Sequence, residues 1–67
     1  MYKYLELLSY LSVSPKELQS DYVRYNAKMI AEAASRGHIT CIVFGVPTNK
    51  WFITNKGRKF LEEFNAI

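Results

Sequence analysis

The chain has one histidine, His38, and one cysteine, Cys41. Metal binding needs several His, Cys or acidic ligands at close spacing, and no such set accompanies His38. A position just after a helix-ending Gly37 predicts a turn histidine instead. Nucleophilic use of Cys41 would need a partner base and an acid to orient it. Neither is present, so a buried strand thiol is expected. Glu62 and Glu63 fall on a helix surface and read as solvated. The three glycines form no phosphate-cradling loop. No set of residues combines a nucleophile, a base and an oxyanion site. The expectation is a non-enzyme with no cofactor and no metal.

The remaining chemistry is that of cations and exposed rings. Nine Lys and Arg face six Asp and Glu, for a net charge of +3. Such a balance permits a polyanion without requiring one. The placement is more telling. Lys50, Lys56, Arg58 and Lys59 occupy ten residues free of acid, and Arg24, Lys28 and Arg36 recur on one segment against Glu32 alone. Arg24 and Lys28 are four apart and share one side of a helix. With Tyr25 and Ser35 they offer contacts to phosphates or base edges. The alternative is an ordinary solvated helix face, which Glu32 favours because it would oppose phosphate, unless it accepts from a cytosine amino group. Lys56, Arg58 and Lys59 gather where a helix starts, an end suited to anions. Solubility alone also explains them.

These side chains must be positioned by a small fold. Sixty-seven residues make one domain, over 1–67, and 49% of them are hydrophobic and 15% aromatic, with five Tyr, four Phe and one Trp. Rings supply much buried area per residue, which a domain of this size needs. One cysteine allows no internal disulfide and suits a reducing compartment. The start of the chain lacks an apolar run of signal-peptide type. No run reaches the roughly 18 to 20 apolar residues of a membrane span. A cytoplasmic protein is expected, without membrane contact.

Spacing predicts a helix over 2–12, with Tyr4, Leu7, Leu8 and Leu11 on its apolar face. Ser14-Pro15-Lys16-Glu17 has the form of a capping box with proline at the first helical position. It predicts a short helix ending near Ser20, with Leu18 inward. A third helix is expected from Asp21 or Arg24 to Arg36. It would bury Asn26, Met29, Ile30 and Ala33, pack Tyr22 and Val23 at its start, and close at Gly37. Ile39–Phe44 and Trp51–Thr54 read as two strands around a Gly45–Asn49 loop. Thr54 or Asn55 then caps a last helix with Gly57, Phe60, Leu61 and Phe64 on its inner stripe. The fold class is α+β.

This order resembles the winged helix-turn-helix domains of small prokaryotic, archaeal and phage transcription regulators. Ala33-Ala34-Ser35-Arg36-Gly37-His38-Ile39 is similar to the exit of that family's recognition helix. Trp51-Phe52-Ile53-Thr54-Asn55-Lys56-Gly57-Arg58-Lys59-Phe60-Leu61 is similar to its second wing strand and following helix. Ser14-Pro15-Lys16-Glu17-Leu18 resembles its first motif helix. The resemblance implies double-stranded DNA binding by a dimer. The third helix would enter the major groove, and Lys50, Lys56, Arg58 and Lys59 would lie on the phosphate backbone.

The wing departs from that pattern. Alternation turns Ile39, Cys41, Val43, Trp51 and Ile53 inward and Thr40, Ile42, Phe44, Lys50 and Phe52 outward. A DNA-binding wing usually carries more cations than Lys50. Outward Ile42, Phe44 and Phe52, extended by Val46-Pro47, suit a partner protein. The competing reading is therefore a phage- or plasmid-type factor that docks on a host protein through its hairpin without DNA. A homodimer through the hairpin, or through Tyr2, Tyr4 and Tyr10 of the first helix, is also open. So is single-strand binding by stacking on exposed rings. Equally, residues 64–67 could cover one hairpin face and leave no patch at all.

Overall fold

The computed structural model describes residues 2–65. Helix α1 spans Tyr2–Val13. Its inner stripe is the expected one: Tyr4, Leu7, Leu8 and Leu11 are all buried, because positions three and four apart share a helix face. The helix ends at proline. The Ser14 amide still donates to the Tyr10 carbonyl at 3.1 Å, but the residue before a proline is pushed towards extended backbone.

The short helix expected from Ser14 does not form. Lys16–Glu17 is a two-residue strand, β1, and it pairs antiparallel with a later strand, Lys16 opposite Trp51 and Glu17 opposite Lys50. The Leu18 amide extends this edge by donating to the Asn49 carbonyl at 2.9 Å. A capping box gives only local hydrogen bonds, whereas these sheet bonds also bring Trp51 against the core. The cap is displaced to Ser20, whose side chain accepts from the Val23 amide and opens α2, Asp21–Tyr25. Asp21 in its first turn complements the helix dipole.

The single helix expected up to Arg36 is divided. Helix α2 ends at Asn26 (φ −111°, ψ 28°), and α3 runs over Ala27–Ser35. Both the backbone amide and the side-chain Nδ2 of Asn26 donate to the Tyr22 carbonyl, at 3.1 and 2.8 Å. Asparagine competes with the helix ladder in this way. The inner face is otherwise as expected, with Val23, Ile30 and Ala33 buried and Tyr22 and Met29 packed beside them. Gly37 ends α3 at φ +77°. Its amide donates to the Ala34 carbonyl and that of His38 to the Ala33 carbonyl, the paired bonds of a Schellman motif.

Strands β2, Ile39–Val43, and β3, Val46–Ile53, form a hairpin. The loop expected over Gly45–Asn49 is instead a two-residue turn, and Val46 to Asn49 belong to β3. Phe44 and Gly45 both have positive φ, 52° and 77°, the sign pattern of a type I′ turn, which follows the natural twist of paired strands. A bulge lies between Thr40 and Ile42, tied down by the Thr48 hydroxyl, which donates to the Cys41 carbonyl at 2.7 Å. The sheet order is β1-β3-β2.

Helix α4, Asn55–Asn65, follows directly. Of the two cap candidates, Thr54 caps it, its hydroxyl accepting from the Gly57 amide at 3.0 Å and donating to the Gly37 carbonyl at 2.7 Å. One side chain thus ties the end of α3 to the start of α4. A Cβ at Gly57 would fall on the His38 carbonyl oxygen and within 2.9 Å of Ile53 Cγ1. The helix can approach the sheet only because that residue is glycine. The architecture is α+β, with four helices and a three-stranded antiparallel sheet among the described residues.

Candidate interaction surfaces

Three surfaces and one buried junction carry the polar and aromatic residues of interest. The first surface surrounds the α2–α3 break. Arg24, Tyr25 and Lys28 are all exposed, Tyr25 at 90%. Together with Asn26, Ala27 and Met29 they line a shallow depression of about 320 Å³. Ser35 is exposed at the far end of α3. Glu32 is engaged by Arg36, one turn on, at 3.0 Å. An exposed pair of this kind contributes only about 0.3–0.5 kcal/mol. It does, however, direct the Glu32 charge along the helix.

The second surface is the start of α4. Lys56, Arg58 and Lys59 are exposed. Two of the amides a bound anion would use are already taken, Gly57 by the Thr54 hydroxyl and Arg58 by the Thr54 carbonyl. Lys56 is drawn back towards Gly37, its Cδ 3.8 Å from a Cβ built there. Lys50, exposed on β3, stands in register opposite Glu17. The wing's single cation therefore has an acid beside it.

The third surface is the hairpin tip. Ile42 is 52% exposed, Val46 62% and Phe44 100%, and Pro47 is exposed with them. Phe52, expected to face outward with them, is half-buried beside Thr40, its strand partner. Of the residues expected inward, Ile39 is buried, Trp51 and Ile53 are half-buried against the core, and Val43 and Cys41 are half-buried, so the Cys41 thiol is less enclosed than expected. The expected cover over one hairpin face involved residues 64–67, of which Ala66 and Ile67 lie outside the described residues.

The junction was not anticipated. His38 does sit in the turn after Gly37, yet it is only 5% exposed. Its Nδ1 is 2.6 Å from the Tyr4 hydroxyl, and its ring stacks on Phe60 at 4.5 Å. Phe60 meets Tyr4 edge-on at 5.8 Å, and the Arg36 guanidinium lies 5.1 Å above the Tyr4 ring. Burial holds the His38 pKa below its ordinary value, and the charges of Arg36 and Lys56 lower it further. Burial raises the Tyr4 pKa, which the Arg36 charge partly opposes. A sequence signal existed: the residue after a Schellman glycine commonly packs back on its helix. Tyr4 is therefore unavailable as a dimer contact on α1, where Tyr2 and Tyr10 remain exposed at 82% and 47%. Tyr10 packs on Tyr22, centroids 4.6 Å apart, under the Lys16 ammonium.

Glu62 and Glu63 are exposed. Among the described residues no cluster of His, Cys, Asp and Glu could hold a metal ion, and no helix is long and apolar enough to cross a membrane.

No family model and no solved structure matches the chain. Two curated phage proteins do. The fusion protein 5.5/5.7 of Escherichia phage T7 is 48% identical over 67 residues, 98% of this chain, which spans only 40% of that longer relative. The gene 5.7 protein of Enterobacteria phage T3 is 48% identical over 67 residues, 98% of this chain and 97% of the relative. With that identity across nearly the full length of both chains, the protein belongs to the phage gene 5.7 protein family.

Proposed function

We propose that the chain is a winged-helix module that docks on a host protein, with the hairpin tip as its anchor. The order α1-β1-α2-α3-β2-β3 and the sheet order β1-β3-β2 support the winged-helix reading. The observation that carries the docking reading is Phe44. A left-handed conformation costs a residue other than glycine about 1–2 kcal/mol, and type I′ turns favour Asn, Asp or Gly. Phe44 adopts that conformation while fully exposed, so it contributes no burial in return. Its value lies in what it meets. Four exposed side chains fall well short of the roughly 800 Å² per partner of a standard interface. The tip therefore acts as an anchor in a pocket, in the manner of an aromatic hot spot, rather than as a whole dimer face. The phage origin of the relatives makes a host protein the natural partner, in the cytoplasm.

The test is retention of proteins from an enterobacterial lysate on immobilised wild type and Phe44→Ser. A partner held by wild type and lost by the variant supports the reading. An unchanged set of retained proteins overturns it.

A second reading, double-stranded DNA binding by a dimer, is favoured by the grouping of Arg24, Tyr25 and Lys28 around one depression. Ser35 would extend this contact, and Lys50, Lys56, Arg58 and Lys59 would hold the phosphates. It stands second for two reasons. One residue separates α2 from α3, against the 3–4 of a usual helix-turn-helix connection. The wing, in addition, carries one cation opposite an acid. In an anisotropy titration with a random duplex, this reading expects salt-sensitive binding that Lys28→Ala weakens, lowering the salt slope by about 1.

A further inference from the structure

We propose that His38 is an acid-operated latch that holds α4 on the core. The residue joins four elements. Its amide closes α3 on the Ala33 carbonyl, and its carbonyl accepts from the Thr54 amide at 2.9 Å where β3 meets α4. Its ring lies between Tyr4 of α1 and Phe60 of α4. The backbone of His38 is also the surface on which Gly57 rests. Whatever moves His38 moves the seat of α4.

The surroundings suit a neutral ring. From the end of α3, Arg36 faces the same aromatic pair, 5.1 Å from the Tyr4 ring and 6.0 Å from the Phe60 ring. Arg36 is itself held by Glu32. From α4, Lys56, Lys59 and Glu63 line the depression beside His38 and Phe60. From α1 comes the Tyr4 hydroxyl. Three cations and two acids thus surround the ring, and one of the acids is already engaged by Arg36. At 2.6 Å the Tyr4 hydroxyl can give its hydrogen to a neutral His38 Nδ1. Protonated on both nitrogens, His38 has no acceptor left, so that hydroxyl must reverse its role, and a buried charge arises beside Arg36 and Lys56. Such a charge is costly unless paired. Separating α4 and Phe60 from the ring would admit water and relieve it.

The sign follows from proton linkage. The unfolded chain binds the proton near pH 6.5, whereas the folded state, with its lowered pKa, resists it. The latch is closed above about pH 6.5. Below that, the folded-to-unfolded ratio falls by up to about tenfold per pH unit, levelling once the folded ring also titrates.

The experiment follows the His38 ring and the backbone amides of 55–64 by NMR from pH 7.5 to 5, with thermal unfolding of wild type, His38→Gln and Tyr4→Phe at each pH. The latch expects the ring to titrate below 6.5 and the α4 amides to shift with it. It also expects the fall in Tm from pH 7 to pH 5 to shrink in His38→Gln. A ring that titrates at or above 6.5, or α4 amides indifferent to its titration, overturns the proposal. If His38→Gln fails to fold, the wild-type NMR titration decides alone.

Discussion

The Tyr4–His38–Phe60 junction and the hairpin tip are built from similar materials, and the fold uses them in opposite ways. At the junction, aromatic rings meet one another and a polar nitrogen finds its hydroxyl. At the tip, Ile42, Phe44 and Val46 stand in solvent. Ring for ring, burial gives the junction stability, and backbone strain costs the tip some of it. The difference teaches that an apolar residue in a small domain can serve the core or a partner. The deciding fact is what surrounds it in three dimensions.

This contrast can be broken by substitution, starting at the core that supports the junction. Leu8 is fully buried, so Leu8→Ala should destabilise by about 3 kcal/mol, within the range for core truncations. Urea unfolding measures this, and a loss under about 1 kcal/mol would show a core looser than described. Gly57→Ala drives a methyl onto the His38 carbonyl. It should cost about 2 kcal/mol despite alanine's better helix propensity, and a stabilised Gly57→Ala in the same assay would contradict the close approach. Thr54→Val keeps the shape and removes both hydroxyl bonds. A loss of about 1 kcal/mol is expected, typical of a helix cap, and seen as a lower thermal midpoint. Phe44→Asn has the smallest effect on stability and the opposite sign. Asparagine tolerates the left-handed region, so stability should rise by up to about 1 kcal/mol while partner retention falls. If calorimetry instead finds Phe44→Asn destabilised, the tip supports the fold and the contrast disappears.

Several of these features are written in local sequence. The Tyr4, Leu7, Leu8, Leu11 stripe, the Gly37 stop and the Thr54 cap each depend on residues within a turn or two of one another, and each is found as expected. The local signals at 14–17 and 26 led elsewhere. Ser14-Pro15-Lys16-Glu17 satisfies a cap pattern, but the edge of β3, more than thirty residues away, offers it a sheet partner. Asn26 fits a helical stripe, but its amide captures a backbone carbonyl. The cations at 24, 28, 50, 56, 58 and 59 were legible as a group, and their exposure follows from hydration of charge. The pairings Glu32–Arg36 and Glu17 opposite Lys50 depend on geometry.

By itself, the order of residues determined the α+β class, the inner stripe of the first helix, the Gly37 stop and a cap at the start of the last helix, because those follow from periodicity and hydrogen bonds between near neighbours. Only the tertiary structure decided that His38 would be buried against Tyr4, 34 positions away, and that Phe44 would remain uncovered. Solvent exclusion at a given atom is a sum over distant segments, and no local pattern contains that sum.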